Sequence, residues 1–224
     1  MKRYVVIVAG GRGLRMGGEV PKQFRLVGGR PVLMRTVEAF VRAYSDISVV
    51  LVLPRDQQDY WQSLCREYDF RVPLQVADGG ETRFASVRNG LALIPDEADC
   101  VVGVHDGVRP FVTAETIRRC YESAQQQRAT VPVVPVVETV RRLLPDGGSR
   151  TVAREAYRLV QTPQTFPLAM LKAAYAQPYV PSFTDDASVV ERMGLQIHLV
   201  DGDRRNIKLT TPEDIMLAEA LCRI

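Results

Sequence analysis

The sequence has few residues of the kinds that build metal centres and disulfide frameworks. Its 224 residues include four cysteines, none of them in a C-x-x-C pair, and two histidines. Scattered cysteines are typical of small core residues, and two histidines are too few for a histidine-rich metal centre. The composition therefore excludes zinc-finger and disulfide-stabilised classes of protein.

Long apolar runs and a strong charge of one sign are also missing. No apolar stretch approaches the ~18 residues that a membrane-spanning helix needs. The net charge is only +3, from 29 basic and 26 acidic residues. We therefore expect neither a nucleic-acid partner nor a membrane partner. Because the apolar run near the N-terminus is too short for a signal peptide, we also expect a cytoplasmic protein.

The sequence does contain a regular alternation of short apolar runs and amphipathic segments. Residues 4–9 and 99–104 are short runs rich in β-branched residues, and residues 81–94 carry apolar residues at helical spacing. This alternation predicts βαβ units and a mostly parallel sheet, in which ligands bind beyond the carboxyl ends of the strands. The length suits one α/β domain over residues 1–224.

The alternation stops between residues 138 and 164. Two extended pieces flank the turn sequence Pro-Asp-Gly-Gly at residues 145–148, which predicts a β-hairpin arm over about residues 138–160. Because an isolated hairpin is only marginally stable in water, we expect it to pack on a second subunit. A hairpin folded back on its own domain is the alternative. Two prolines within residues 130–137 predict a strand near a sheet edge or at a bulge.

The first apolar run leads into a loop rich in glycine and arginine, GGRGLRMG at residues 10–17, and PKQ follows at residues 21–23. Glycines let backbone N–H groups converge on phosphate oxygens, and Arg15 and Lys22 bring two cations to the same anion. The loop is not a Walker A loop, and Met16 stands where the dinucleotide fingerprint requires glycine. The pattern favours a nucleoside triphosphate site over a solvated glycine-rich turn.

A second group of polar residues follows the run at residues 99–104, in the sequence HDGVRP. Asp106 is a natural ligand for Mg²⁺ or for a substrate hydroxyl, although a turn cap would also explain it. Arg109 could bind a phosphate group. For His105 we favour a packed, hydrogen-bonded core histidine over a catalytic role.

Two further segments carry weaker signals. The sequence DGGETR at residues 78–83, with Ser86 after it, places glycines and donors before a helix, as an ordinary turn also would. The sequence NIKLTTPED at residues 206–214 places Lys208 just ahead of a strongly capped helix. Alone, each of these segments has an ordinary structural explanation.

Taken together with QTPQTF at residues 161–166 and TDDAS at residues 184–188, these motifs resemble the 2-C-methyl-D-erythritol 4-phosphate cytidylyltransferases, in order and over nearly the whole chain. The related ribitol 5-phosphate cytidylyltransferases share the first half, whereas TDDAS and the region of Arg154 are more similar to the methylerythritol branch. The chain departs from the family at residues 8–11, which read Val-Ala-Gly-Gly instead of Pro-Ala-Ala-Gly, and at Gly107, where alanine is common.

The resemblance implies a Rossmann-like three-layer nucleotidyltransferase fold with a projecting hairpin arm that forms a homodimer. It implies transfer of CMP from CTP to 2-C-methyl-D-erythritol 4-phosphate with release of pyrophosphate, and a requirement for Mg²⁺ or another divalent cation. Ribitol 5-phosphate as acceptor is the nearest alternative. A non-catalytic nucleotide-binding protein is an alternative of a different class, and Met16 disfavours a nicotinamide-dependent oxidoreductase.

The resemblance also implies roles for individual residues. The proposed catalytic cations are Arg15, Lys22 and Lys208. The implied nucleotide-binding residues are Ala9, Gly10, Gly11, Gly13, Lys22, Gly80, Arg83, Ser86 and Asp106. The implied substrate-binding residues are Asp106, Gly107, Arg109, Thr139, Arg154, Thr162, Thr184 and Lys208. Asp106 is the implied metal ligand, with the CTP phosphates supplying most of the coordination. The attacking phosphate is already an anion, so catalysis needs positioning and charge neutralisation but no general base.

Overall fold

A computed structural model describes residues 1–10, 20–96 and 99–223 of the chain. Within these ranges the strands are β1 (Lys2–Val8), β2 (Leu26–Val27), β3 (Arg30–Pro31), β4 (Ser48–Leu53), β5 (Leu74–Asp78), β6 (Cys100–Asp106), β7 (Ala129–Pro135), β8 (Val140–Leu143), β9 (Ser149–Val152), β10 (Arg158–Val160), β11 (Gln164–Pro167) and β12 (Ile197–Asp201). The α-helices are α1 (Val32–Ala43), α2 (Arg55–Glu67), α3 (Arg83–Ala92), α4 (Ala114–Gln125), α5 (Leu168–Tyr175), α6 (Asp186–Glu191) and α7 (Pro212–Leu221). Short 3₁₀ helices span Lys22–Phe24 and Arg154–Ala156.

The main sheet of the described residues has eight strands, and most of its central pairs are parallel. Its order is β10-β7-β11-β6-β1-β4-β5, and β12 pairs with β7. The pairs β1–β4, β1–β6, β4–β5 and β7–β12 are parallel, whereas β11 pairs antiparallel with β6 and with β7, and β10 pairs antiparallel with β7. The predicted α/β class with a mostly parallel sheet is confirmed. That residues 1–224 form a single domain stays a prediction.

Helices cover both faces of this sheet because successive residues of a strand point to opposite faces. On β1, Val5 and Ile7 pack in a cluster with α1, α2 and α4, whereas Tyr4 and Val6 pack in a second cluster with α3, α5 and α6. Unbroken apolar strands such as β1 can bury both faces only in such an arrangement. The predicted three-layer architecture is therefore confirmed. No helix in the described ranges has the length and apolar character needed to span a membrane.

The two prolines of residues 130–137 predict a sheet edge or a bulge, and the edge position is wrong. Strand β7 lies inside the sheet, where it pairs with β11, β12 and β10. Proline removes a donor from a strand but leaves its carbonyl available. The carbonyl of Pro132 accepts a hydrogen bond from the Gln161 N–H at 2.9 Å.

The predicted hairpin is present and separate from the main sheet. Strands β8 and β9 pair only with each other within the described residues, in antiparallel register with Val140 opposite Val152. The turn between them is closed by hydrogen bonds from Leu144 N–H to Gly148 O at 2.9 Å and from Gly147 N–H to Leu144 O at 3.1 Å. The predicted arm reaches too far, because its last residues form β10, which belongs to the main sheet.

Candidate functional site

A cavity of about 550 Å³ opens at the carboxyl ends of β1 and β6. Val8 and Asp106, the last residues of these two strands, lie side by side in the parallel pairing. The cavity also receives the 3₁₀ helix that contains Lys22, the N-terminal end of α3, and the loop that contains Lys208. The predicted residues that line it are Ala9, Gly10, Lys22, Gly80, Arg83, Ser86, Asp106 and Lys208. The predicted residues Gly11, Gly13 and Arg15 lie outside the described residues.

Asp106 is the electrostatic centre of this cavity. Its Oδ2 atom lies 3.1 Å from Lys208 Nζ and 3.0 Å from Arg109 Nε. Burial alone would raise the pKa of Asp106, but Lys208, Arg83 and Arg109 outweigh it and hold this pKa well below its usual range. Asp106 is therefore a carboxylate at any pH at which the protein would work, and it accepts hydrogen bonds but donates none.

The turn after β6 is fixed from behind by a chain of hydrogen bonds through His105. The Asp106 N–H donates to Thr162 Oγ1 at 3.1 Å, and this hydroxyl lies 3.0 Å from His105 Nδ1. On the other side of the ring, His105 Nε2 lies 3.1 Å from the Arg109 carbonyl oxygen. Because a carbonyl only accepts, Nε2 carries the proton, and the Thr162 hydroxyl donates to Nδ1.

This arrangement makes His105 a neutral structural residue. Its side chain is fully buried, and its ring meets that of Phe40 edge-on with 4.9 Å between the centroids. Burial lowers the pKa of His105 to about 4. The interpretation of His105 as a packed, hydrogen-bonded core histidine is confirmed. Thr162 is also buried, and both of its hydroxyl contacts lie inside the fold.

Gly107 lies where β6 comes closest to the segment that follows β1. Its N–H donates to the Val8 carbonyl at 2.9 Å. A Cβ atom at this position would lie 2.9 Å from Ala9 Cβ and 3.0 Å from Leu33 Cδ1. In this chain the glycine therefore permits a close approach of the two segments at the back of the cavity, whatever contacts its backbone makes with a ligand.

The hydroxyl group of Ser86, in the first turn of α3, is held by hydrogen bonds to the loop that precedes this helix. Gly80 N–H donates to Ser86 Oγ at 3.0 Å, and Ser86 Oγ donates to the Thr82 carbonyl at 2.9 Å. Thr82 also caps α3 by accepting from the Ala85 N–H at 3.0 Å. The start of α3 therefore lines the cavity with Thr82, Arg83 and a pre-oriented serine.

Two buried amide side chains were not predicted as site residues. Gln23 is 1% exposed and donates through Nε2 to the Ala9 carbonyl at 3.0 Å, so it joins the segment of Lys22 to the end of β1. The Asn206 side chain donates through Nδ2 to the Thr162 carbonyl at 2.8 Å, and the Asn206 backbone carbonyl accepts from Arg109 at 2.9 Å. Both residues belong to motifs visible in the sequence, PKQ and NIKLTTPED, but only their contacts reveal a positioning role.

The remaining predicted substrate-binding residues are not among those that line the cavity. Thr139 is exposed on the arm, and Arg154 donates to the Val137 carbonyl and lies 3.3 Å from Glu155 Oε1. Thr184 is exposed ahead of α6, and its N–H donates to Ser188 Oγ at 3.1 Å. Arg109 does not line the cavity either, but it contacts Asp106, which does.

Protein side chains alone do not form a metal centre in the part of the chain that the structure describes. No group of three or more histidine, cysteine, aspartate or glutamate residues comes close enough there to hold an ion. Asp106 is a single carboxylate whose charge is shared with two cations. It can supply at most part of the coordination of a hard cation.

Residues 4–223 match the family model described as 2-C-methyl-D-erythritol 4-phosphate cytidylyltransferase. The chain belongs to this family. A protein of that name from Bacteroides thetaiotaomicron is 61% identical over 99% of this chain and 100% of the relative. Another from Phocaeicola vulgatus is 59% identical over the same shares of the two chains.

Solved structures agree with this cytidylyltransferase assignment. The structure named 4-diphosphocytidyl-2C-methyl-D-erythritol synthase from Anaerococcus prevotii has a TM-score of 0.84 at 28% identity, covering 100% of this chain and 99% of that one. The 2-C-methyl-D-erythritol 4-phosphate cytidylyltransferase structure from Thermus thermophilus has a TM-score of 0.75 at 35% identity, with both chains covered completely. The chain is therefore a cytidylyltransferase of isoprenoid biosynthesis, and the alternatives of a non-catalytic nucleotide-binding protein and of an oxidoreductase are excluded.

Proposed function

We propose that the cavity at the carboxyl ends of β1 and β6 is the active site. The reaction is the transfer of CMP from CTP to 2-C-methyl-D-erythritol 4-phosphate, with release of pyrophosphate. The observation that carries the proposal is the convergence of Lys22, Asp106 and Lys208, from three distant parts of the sequence, on one cavity. A phosphate oxygen of the acceptor attacks the α-phosphorus of CTP, and the bond to the leaving pyrophosphate breaks.

The two ends of the cavity suit different parts of CTP. Ala9, Gly10, Gly80 and Ser86 form an uncharged part of the cavity lining, which in this proposal receives the cytosine base and the ribose. Lys22 and Lys208 offer positive charge to the triphosphate, together with Arg15 from the glycine-rich loop. Charge that develops on the α-phosphate and on the leaving pyrophosphate is then stabilised by groups that are already in place.

Asp106 holds hydroxyl groups of the acceptor. The low pKa of this residue, set by its cationic neighbours against the effect of burial, keeps it a hydrogen-bond acceptor, and a polyol offers several donors. Arg109 and Lys208 flank the same carboxylate, and in this proposal they bind the acceptor's phosphate group. In this proposal Thr184 completes the acceptor site, and Thr162 supports that site from behind by accepting the hydrogen bond of the Asp106 N–H.

A divalent cation such as Mg²⁺ fits this donor set as a ligand of the substrate more than of the protein. Mg²⁺ sites in enzymes that act on nucleotides commonly use one or two carboxylates together with substrate phosphates. Asp106 would be the carboxylate here, and the CTP phosphates would supply the remaining oxygens. When bound, the ion neutralises phosphate charge during transfer.

The arm forms a homodimer in this proposal. Large apolar side chains on and beside it are exposed, namely Val137, Leu143, Tyr157, Leu159 and Val160. Exposed apolar surface of this kind marks an interface. Thr139 and Arg154 lie in the same region and do not line the cavity of their own chain, so they would bind substrate in the partner's site. A cytoplasmic location without nucleic-acid or membrane partners remains part of the proposal.

The test is pyrophosphate release from CTP and Mg²⁺ by the full-length protein, with 2-C-methyl-D-erythritol 4-phosphate and ribitol 5-phosphate supplied in parallel. We expect release with the first acceptor only. A second series without the divalent cation should show strongly reduced release, because the phosphate charge is then uncompensated.

Release with ribitol 5-phosphate alone would contradict the proposed acceptor while leaving the chemistry intact. Full activity after removal of all divalent cations would contradict the proposed metal requirement.

A further inference from the structure

Arg83 lies on the cavity wall, and both ends of its guanidinium group are held by one carboxylate. Its two terminal nitrogens donate to Asp186, at 3.0 Å to Oδ1 and 2.6 Å to Oδ2. Asp186 is fully buried at the first position of α6, and Tyr175 donates a third hydrogen bond to its Oδ1 at 2.6 Å. Paired hydrogen bonds of this kind fix the orientation of an arginine as well as its position.

This contact also changes the charge that the cavity presents. Burial would lower the pKa of Arg83, but Asp186 outweighs it, so Arg83 remains a cation paired with an anion of its own. A cation that has a carboxylate of its own attracts phosphate less than one that shares a carboxylate, because the fields of one cation and one anion largely cancel at a distance. Lys208 and Arg109 share the single carboxylate of Asp106, so a net positive charge remains at that part of the cavity. The Arg83 wall is therefore suited to a neutral part of a ligand.

Packing alone already joins the elements that the ion pair connects. The Phe84 ring at the start of α3 stacks on Tyr175 of α5 with 4.7 Å between centroids, and on Phe183 ahead of α6 with 5.6 Å. A buried ion pair is weak evidence for a role in stability, because desolvation offsets most of its attraction. The position of this pair beside the cavity favours a role in ligand binding.

We propose that Asp186 is a positioning residue for the nucleotide: it fixes the Arg83 guanidinium on the cavity wall and cancels its charge, so that this wall receives the base and ribose of CTP and not its phosphates. This inference rests on the proposed function, because it assumes that the cavity binds CTP.

The test is the variant Asp186→Asn, which keeps the shape of the side chain and removes its charge. Arg83 then loses its fixed orientation and becomes an uncompensated cation. We expect the KM for CTP to rise roughly tenfold, while the KM for the acceptor changes less than about twofold. We also expect inorganic pyrophosphate to inhibit competitively at a concentration several-fold lower than for the unmodified protein. A purely structural loosening would weaken the binding of both anions together.

Two controls separate this effect from loss of stability. Tyr175→Phe removes one hydrogen bond from the same carboxylate and leaves both of its bonds to Arg83. Glu38→Gln removes the charge from another arginine–carboxylate pair, with Arg30, and neither residue lines the cavity. Both variants should lower Tm by no more than a few degrees. They should leave the KM for CTP and the inhibition constant of pyrophosphate unchanged.

The double variant Arg83→Gln with Asp186→Asn tests the charge argument. It contains no unpaired buried charge, so it can be measured even if Asp186→Asn alone fails to fold. Its KM for CTP should stay high, whereas pyrophosphate inhibition should return to the level of the unmodified protein. The inference would be overturned if folded Asp186→Asn kept the KM for CTP and the pyrophosphate inhibition constant of the unmodified protein. So would pyrophosphate inhibition in the double variant that stays stronger than in the unmodified protein. Failure of the proposed function itself would be visible separately, as absence of turnover by the unmodified protein.

Discussion

The cavity and the arm differ in how their side chains are partnered. In the cavity, Asp106 is held by Lys208 and Arg109. Behind the cavity, His105 is held by groups on both sides of its ring, and all of these groups belong to the same chain. On the arm, the Leu143 side chain is 80% exposed. The cavity is organised by one chain, whereas the arm presents apolar surface that the described part of this chain leaves exposed.

The hydrogen bonds of the two regions differ in the same way. The Asp106 N–H is bonded to Thr162, which is 56 residues away in the sequence, and Arg109 to Asn206, which is 97 residues away. On the arm, Arg141 bonds to Ser149, only eight residues away. Contacts over a long sequence separation fix a site within the fold, whereas local contacts fix only the shape of the hairpin.

The largest effect is expected from the cavity cations. Lys22→Ala or Arg15→Ala should lower kcat by about 10²–10⁴, the range seen when a group that stabilises transition-state charge is lost. The measurement is pyrophosphate release by the purified variants at saturating CTP and acceptor.

The matched control is Arg71→Ala, because Arg71 is an exposed cation paired with exposed Asp69 and lies away from the cavity lining. This variant should retain the original rate. Near-normal turnover by Lys22→Ala or Arg15→Ala would sink the proposed role of the cation concerned.

The arm gives the next largest effect. Deletion of residues 141–153 should convert the proposed dimer into a monomer and lower turnover by about tenfold or more, because it removes the hairpin that packs on the second subunit in this proposal. The point variant Leu143→Asp should weaken the dimer in the same direction. Sedimentation and activity at matched protein concentrations measure the two properties together.

Met216→Asp is the control for the arm, since Met216 on α7 is 73% exposed and lies outside the hairpin. It should leave the mass in solution unchanged. A fully active monomer after the deletion would refute the proposed role of the arm and make the two regions independent.

The buried histidine predicts a dependence of stability on pH. Burial lowers the pKa of His105 to about 4 in the folded chain, whereas an unfolded histidine has a pKa of about 6.5. Between these values the unfolded chain binds the extra proton, so the free energy of unfolding decreases as pH falls. We expect this residue to contribute a loss of about 2 kcal/mol between pH 7 and pH 5.

Urea unfolding at both pH values gives the change in unfolding free energy between pH 7 and pH 5. This change should be smaller for His105→Gln than for the unmodified protein, and the difference is the contribution of His105. His198→Gln is the control, because His198 is exposed. Equal pH dependence in the unmodified protein and His105→Gln would show that the histidine is not buried as a neutral ring.

The smallest effect is expected at Thr162. Thr162→Val leaves the Asp106 N–H and His105 Nδ1 without their shared partner, which should cost about 1–2 kcal/mol of unfolding free energy. Denaturant unfolding at pH 7 measures the loss, and Thr162→Ser, which keeps the hydroxyl, should restore most of it. If Val and Ser variants were equally stable, the hydroxyl chain behind the cavity would contribute nothing.

Much of the fold was predictable, because the composition of several strands indicates whether one or both of their faces are buried. The run at residues 48–53 coincides with β4, since only a strand buried on both faces is apolar at consecutive positions. Strand β5 carries no such pattern, because most of its residues are exposed. Strand β7 was misassigned to an edge because its partner β12 lies more than sixty residues further along the chain.

The candidate site was predictable to the extent that its residues lie in motifs. The cavity lining includes Lys22, Ser86, Asp106 and Lys208 as predicted. The buried partners Asp186, Gln23 and Asn206 were not predicted as site residues, because their residue types are common and nothing local marks their contacts.

The sequence by itself determined the strands that are buried on both faces, the capped start of α7, the hairpin turn and the family, because each depends on neighbouring residues or on the order of motifs. Only the tertiary structure decided which charges meet. Arg83 and Asp186 are 103 residues apart, and they pair because the sheet order brings α3 and α6 to the same face. Long-range contacts depend on the packing of whole elements, which no short stretch of sequence encodes.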